Sequence, residues 1–204
     1  MYGTTQANAE KMFWLTRKGF YVNPFFILWF ETYVRLKLWV DRFHSIAYNK
    51  EKEEDKKMTK AIYFDMDGTI ANFYGVDGWL DDLINERTRP YAQARPLVNM
   101  NALARRLNNL QKKGFKIGIV SWLSKNGTEN FNKAVTETKL AWLSKHLHSV
   151  NFDEIKIVPY GVPKSEVVEN SNGILFDDEE PNRKNWKGQA FDESKIMEIL
   201  KAVA

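Results

Sequence analysis

The chain has 204 residues, a net charge of +4 and no cysteine. This length allows one domain with a sizeable core and an appendage. The lack of cysteine excludes disulfides, thiolate nucleophiles and zinc-thiolate sites, and it is compatible with the reducing cytoplasm in which we expect the protein. Residues 1–57 hold ten Lys or Arg against seven Asp or Glu, whereas residues 58–204 hold twenty against nineteen. The larger part is therefore nearly neutral, which gives little support to a polynucleotide partner.

Residues 1–57 form an aromatic N-terminal extension that ends in a charged run over residues 50–57. Between residues 24 and 48, apolar side chains recur three and four positions apart, which predicts an amphipathic helix with Asn23 as its N-cap and Pro24 in its first turn. Its longest uncharged run is too short to span a membrane. Such a helix packs on its own domain, pairs with another chain or lies at a membrane interface. We favour packing or pairing, because a broad aromatic face is more often buried in protein than in lipid.

The stretch over residues 61–70, AIYFDMDGTI, ends a short apolar run on two aspartates. The run is too short for a helix and predicts a strand that delivers Asp65 and Asp67 to a loop. In open α/β sheets, ligands bind at this carboxyl edge, and Gly68 permits a tight turn close to an anion. Paired carboxylates suit one acid as nucleophile or metal ligand and the other as proton donor. Alone, however, Asp-x-Asp-Gly also fits a surface turn or a calcium loop.

Further predicted strands also end in polar side chains. A strand over residues 115–121 ends on Ser121, and a strand from residue 173 ends on Asp177 and Asp178. Between them lies a strand over residues 155–159, followed shortly by Lys164. The strand ends therefore supply, in chain order, an acid pair, a hydroxyl, a lysine and a second acid pair.

Helical patterns alternate with these strands. One helix is expected to begin at Pro96 and to end before Gly114. Another is expected over residues 131–147, and Asp192 is expected to cap the last one. The inner side of the middle helix is predicted to carry Ala134, Leu140, Leu143 and Leu147. Strands that alternate with helices of this length predict an α/β fold, with a Rossmann-like parallel sheet and helices on both faces.

Residues 72–95 form an insertion before the next helix and predict a small helical cap over the strand ends. Within it, residues 79–84 are expected to form a short helix. Phe73, Tyr74, Trp79 and Tyr91 make the cap aromatic, as a wall against a flat substrate group would be. The alternative is that these rings only anchor the cap to the core.

The ordered strand ends resemble those of the haloacid dehalogenase-like phosphohydrolases. The resemblance extends over residues 58–204. Three stretches are similar to the 5′(3′)-deoxyribonucleotidase branch of that superfamily: residues 65–73 (DMDGTIANF), 139–143 (KLAWL) and 177–182 (DDEEPN). Two positions depart from the branch pattern. An acid commonly stands at the position of Asn72, and a basic residue often stands at that of Glu179. Met58 precedes the first strand, so residues 1–57 are either a functional extension or an accidental extension of the reading frame.

The resemblance implies magnesium-dependent hydrolysis of phosphate monoesters through an aspartyl phosphate. Asp65 would attack phosphorus, while Asp67 would protonate the leaving oxygen and then activate water. Asp65, the backbone carbonyl of Asp67 and Asp177 would hold Mg²⁺, and Asp178 would complete or orient that shell.

The resemblance also implies phosphate contacts from Ser121 and Lys164, with Lys139 as a second lysine contact. We therefore expect a 5′-nucleotidase that acts on deoxynucleoside or ribonucleoside monophosphates. A phosphatase for sugar phosphates or polynucleotide ends is the alternative within the same fold, since one core serves many substrates. A different alternative is a module whose N-terminal helix binds a partner, a second copy or a membrane surface through residues 24–48.

Overall fold

The computed structural model of the protein describes residues 32–46 and 60–204. The chain divides into two compact units, Met1–Asp55 and Lys56–Ala204. In the first unit, residues 32–46 form helix α1. The predicted cap Asn23, Pro24 and the expected boundary between residues 48 and 58 lie outside the described residues. Among the described residues, no helix is both long and apolar enough to cross a membrane.

The second unit is built on a five-stranded sheet in which every neighbouring pair is parallel. The strands in chain order are β1 (Ala61–Phe64), β2 (Ala71–Asn72), β3 (Arg95–Pro96), β4 (Lys116–Trp122), β5 (Glu154–Val158), β6 (Ile174–Phe176) and β7 (Gln189–Phe191). The sheet order is β5-β4-β1-β6-β7, while β2 and β3 pair as a separate antiparallel ribbon. Strand β1, which directly precedes Asp65, is thus central. It lies between β4, which contains Ser121, and β6, which precedes Asp177.

Helices follow the strands, as the sequence predicts. They are α2 (Trp79–Ile84), α3 (Arg89–Gln93), α4 (Met100–Lys112), α5 (Glu129–His146), α6 (Lys164–Val167), α7 (Glu180–Lys184) and α8 (Ile196–Ala202), with a 3₁₀ turn over Glu193–Lys195. The predicted α/β class with a parallel sheet is confirmed.

Side chains of β1 pack alternately on the two faces of the sheet. Ile62 and Phe64 belong to the larger apolar cluster, which includes the inner sides of α4 and α8. Ala61 and Tyr63 belong to a second cluster on the opposite face, with Trp186. A strand that is buried on both faces needs an unbroken apolar run, which explains the AIYF sequence before the acids.

Helix α4 begins later than the sequence predicts. Pro96 lies in β3, and the helix begins at Met100 with Asn99 as its N-cap. The Asn99 side chain accepts a hydrogen bond from the backbone N–H of Ala102 at 3.0 Å. Extended pairing of β3 with β2 keeps Pro96 out of the helix, and the first side chain able to satisfy the free N–H groups is Asn99. The predicted end holds, because Gly114 follows the C-cap Lys113 with φ 85°.

Helix α5 buries a different face from the predicted one. Leu143 and Leu147 are buried, but Leu140 is 41% exposed and Ala134 is only half-buried. Lys139 is buried in place of Leu140, since its ammonium group forms an ion pair inside the protein. At the C-terminus, Asp192 caps the 3₁₀ turn by accepting from Ser194 N, and α8 follows from Ile196.

The insertion over residues 72–95 is anchored to the rest of the unit by packing and by hydrogen bonds. Phe73 and Tyr91 pack in one buried cluster with Phe131 and Val135 of α5. In addition, the Glu86 carboxylate accepts hydrogen bonds from the backbone N–H and the hydroxyl of Thr128, each at 2.8 Å. The predicted short helix at residues 79–84 is present.

The two leucines of α5 provide a test of the observed helix face. Leu143→Ala should lower the free energy of unfolding by about 2–5 kcal/mol, because it leaves a cavity in the core. Leu140→Ala makes the same chemical change on the same helix at an exposed position. It should lower the free energy of unfolding by less than about 0.5 kcal/mol. Urea denaturation of both variants measures the difference. Equal losses would contradict the observed rotation of α5.

Candidate active site

The loop after β1 is a compact turn that presents Asp65. The backbone N–H of Asp65 donates to the carbonyl of Phe176 at 2.9 Å, which continues the β1–β6 pairing. The carbonyl of Met66 then accepts from three successive backbone N–H groups, those of residues 69–71. Gly68 has φ 79°, and a Cβ there would lie 2.3 Å from Asp178 Oδ2. Glycine therefore permits both the turn and the close approach of the Asp178 carboxylate.

The acid pair after β6 is held by two polar residues. The Thr69 hydroxyl donates to Asp178 Oδ1 at 3.1 Å and accepts from the backbone N–H of Asp178 at 3.0 Å. The Asn182 amide nitrogen lies 3.1 and 3.2 Å from the two carboxylate oxygens of the fully buried Asp177. Neither Thr69 nor Asn182 is among the site residues that the sequence predicts. Both lie in the quoted motif stretches, but their contacts depend on the approach of residues far apart in the chain.

Three carboxylates converge at the end of β1 and β6. Asp65, Asp177 and Asp178 each offer an oxygen, and these oxygens all lie within 4.8 Å of one another. Asp65 Oδ1 is buried and accepts no hydrogen bond. A cluster of hard oxygen donors in which one buried oxygen accepts no hydrogen bond fits a divalent cation such as Mg²⁺. The three aspartates predicted as metal ligands thus lie together, and their role as ligands, like that of the Asp67 carbonyl, stays a prediction.

Lys164 lies between Asp65, which follows β1, and Asp177, which follows β6. Its Nζ lies 2.6 Å from Asp177 Oδ2 and 2.9 Å from Asp65 Oδ1, and its side chain is almost completely buried. The contact with Asp65 is a close ion pair between the Lys164 ammonium group and Asp65 Oδ1. Burial acts to lower the pKa of Lys164, but Asp65 and Asp177 outweigh it and raise the pKa. Lys164 is therefore a fixed cation beside Asp65.

Lys139 holds the second acid of the DMD motif. Its Nζ donates to Asp67 Oδ2 at 2.6 Å, to the Ser121 hydroxyl oxygen at 2.8 Å and to the Trp122 carbonyl at 2.6 Å. These contacts engage all three ammonium protons. Ser121 is fully buried, and β4 continues past it to Trp122. Lys139 and Ser121, two of the three residues predicted to contact phosphate, thus contact each other, and Lys139 positions the Asp67 carboxylate.

A cavity of about 290 Å³ opens over these acids. Asp65, Asp67 and Lys164 lie along it together with the predicted cap residues Phe73, Tyr74 and Trp79. A second aromatic pair, Trp122 and Tyr160, also lines the cavity, with ring centroids 4.8 Å apart, and is not among the residues predicted from the sequence. Ser124 and Lys125, just after β4, supply further polar atoms. The cavity therefore combines a charged floor with aromatic sides.

Burial and mutual repulsion raise the pKa values of three carboxyl groups in the site. Burial, together with the charges of Asp65 and Asp177, raises the pKa of the Asp178 carboxyl to about 7. Burial and Asp65 raise the pKa of Asp177 to about 6, although Lys164 opposes the shift. Burial also raises the pKa of Asp67 against the opposing charge of Lys139. The cluster carries more negative charge than its lysines neutralise, which favours a bound cation.

Sequence comparisons with protein-family models and with curated proteins give no match. Among solved structures, the chain is similar to D,D-heptose 1,7-bisphosphate phosphatase from Burkholderia thailandensis, with 13% identity, a TM-score of 0.39 and coverage of 62% of this chain and 70% of that chain. It is also similar to D,D-heptose 1,7-bisphosphate phosphatase from B. bronchiseptica complexed with magnesium and phosphate, with 13% identity, a TM-score of 0.42 and coverage of 69% and 87%. At this level of similarity, the activity proposed below rests on the residues of the present chain.

The raised carboxyl pKa values predict a pH-dependent stability in the presence of a chelator. An aspartate in the unfolded chain titrates near pH 4. The folded protein therefore binds more protons than the unfolded chain between about pH 4 and pH 7, and its stability falls as the pH rises through that window. Urea denaturation at about pH 5 and about pH 8 should show a loss on the order of 2 kcal/mol at the higher pH.

Asp178→Asn is the matched control for this prediction, because the amide keeps the shape of the side chain and does not titrate. The variant should show a flatter dependence of unfolding free energy on pH. A wild-type stability that rises between the same two pH values would contradict the prediction.

Proposed function

We propose that this protein is a magnesium-dependent phosphatase of the haloacid dehalogenase-like type, and that it hydrolyses phosphate monoesters through an aspartyl phosphate. The observation that carries the proposal is the position of Asp65. This carboxylate directly follows the central strand, lines the cavity and lies beside Lys164 and two further acids. Residues 58–204 form the catalytic part in this proposal, with residues 72–95 as its cap.

The mechanism divides the work among these side chains. Asp65 attacks phosphorus, and the bond to the leaving oxygen breaks as the bond to Asp65 forms. Asp67 protonates the leaving oxygen and afterwards takes a proton from the water that hydrolyses the acyl phosphate. Lys139 donates to Asp67 Oδ2 at 2.6 Å and thereby holds the carboxylate in place. Lys164 offsets the negative charge on the phosphoryl oxygens.

Asp65, Asp177 and Asp178 would hold the Mg²⁺. Asn182 positions the Asp177 carboxylate, and Thr69 positions that of Asp178. When bound, the ion reduces the repulsion between a carboxylate nucleophile and a phosphate dianion. Without a cation, three carboxylates at this spacing repel one another, and Lys164 offsets only part of that charge.

The substrate that we propose is a nucleoside monophosphate. Tyr74 and Trp79 of the cap stack edge to face at 5.2 Å, and Trp122 and Tyr160 form the second aromatic pair of the same cavity. Aromatic sides suit a planar base, while the charged floor suits the phosphate. Lys125, whose Nζ lies 5.5 Å from the Tyr160 ring, adds a cation near the opening. A sugar phosphate would use the same floor without the stacking surfaces.

Removal of the nucleophile provides the first test. Asp65→Asn should abolish phosphate release from deoxynucleoside monophosphates, because an amide cannot form the acyl phosphate. Asp81→Asn, an isosteric change at an exposed cap position, should retain wild-type turnover. Wild-type activity should depend on added Mg²⁺ and disappear with a chelator. Phosphate release by folded Asp65→Asn at the wild-type rate would refute the covalent mechanism.

The proposed base-binding surface provides the second test. Tyr74→Ala should raise KM for a nucleoside monophosphate about tenfold with little change in kcat, because one stacking surface is lost and the acids are untouched. KM for glycerol phosphate, which has no ring to stack, should stay nearly constant. Leu80→Ala, an exposed apolar position in the same cap, serves as control. Equal effects on both substrates would argue against a base at this surface.

A further inference from the structure

Helix α1 exposes a continuous apolar face. Leu36, Trp39, Val40, Phe43 and Ile46 recur three and four positions apart and therefore share one side of the helix. Their exposed fractions are 62%, 57%, 37%, 55% and 56%. The rings of Trp39 and Phe43 lie 4.3 Å apart, so the two side chains form one apolar surface. This face has the width of an interfacial helix rather than of a narrow coiled-coil seam.

The charges of α1 flank this face. At 100° per residue, Arg35 and Arg42 lie along one border and Lys37 lies along the other. Asp41, the acid within residues 32–46, lies on the opposite side of the helix. Long cationic side chains at the borders of an apolar face can extend to the level of lipid phosphates while their stems stay on the apolar side.

We infer that α1 binds an anionic lipid surface and lies in its interface, in place of the packing or pairing that the sequence favours, because its apolar face is exposed. The border cations are complementary to anionic head groups, and each such cation strengthens surface binding. A second copy of α1 is the less favourable occupant, because pairing of the apolar faces would place cations beside cations along the seam without acids to match them. This inference concerns the N-terminal unit and is independent of the proposed phosphatase activity.

Sedimentation of the full chain with lipid vesicles tests the inference. The protein should sediment with vesicles of phosphatidylcholine mixed with phosphatidylserine and much less with phosphatidylcholine alone. Phe43→Glu should weaken binding about tenfold or more, because it places a charge in the apolar face. Arg42→Gln should weaken it roughly fivefold, and added salt should weaken it further.

Leu38→Glu is the matched control, since Leu38 is 61% exposed and lies on the other side of the same helix. It introduces the same charge and should leave vesicle binding within about twofold of wild type. Phosphatase turnover and thermal unfolding should be unchanged in both glutamate variants, which separates lipid binding from folding. Failure of the wild type to sediment with anionic vesicles, or equal losses in Leu38→Glu and Phe43→Glu, would overturn the inference. The inference would also be overturned if the wild type did not bind lipid but formed a dimer in sedimentation velocity, and if Phe43→Glu dissociated that dimer.

Discussion

Electrostatic repulsion among Asp65, Asp177 and Asp178 is the constraint on which the rest of the site depends. The fold brings their oxygens within 4.8 Å at the ends of two adjacent strands, where little water can screen them. Lys164 offsets part of this charge through contacts of 2.6 and 2.9 Å. Charged groups in such a position are retained at a cost in stability, since a buried cluster rarely stabilises a fold as well as an apolar one would. The proposed catalytic role would explain why this cost is retained.

Two buried lysines divide the acids between them. Lys164 reaches Asp65 and Asp177, whereas Lys139 reaches Asp67 from a different helix. The neighbouring aspartates of one short loop therefore experience different surroundings, although a single residue separates them. A nucleophile and a proton carrier need such a difference, because one acid must stay ionised while the other exchanges protons. The asymmetry arises from strand order and from the rotation of α5.

The cap, which we propose to recognise the substrate, depends on the same packing. Phe73 and Tyr91 are buried against α5, while Tyr74 is exposed toward the cavity. Phe73 and Tyr91 anchor the cap and also line the cavity, while a role of the cap rings toward a substrate stays a prediction. Because α5 carries both the cap contacts and Lys139, the position of the cap and that of Asp67 depend on one helix.

The sequence by itself determined the strands, their polar ends and the α/β class, because these follow from local patterns: an apolar run for a doubly buried strand, a turn residue after it and acids at its end. It also identified Asp65, Asp177 and Asp178 as partners. Only the tertiary structure decided which neighbours each group has. Lys139 faces inward where Leu140 was expected, Ser121 is buried under the site, and Thr69, Asn182, Trp122 and Tyr160 acquire roles. These outcomes depend on contacts between residues distant in the chain, and an ion pair formed across the fold can outweigh the local preference of a leucine for the interior.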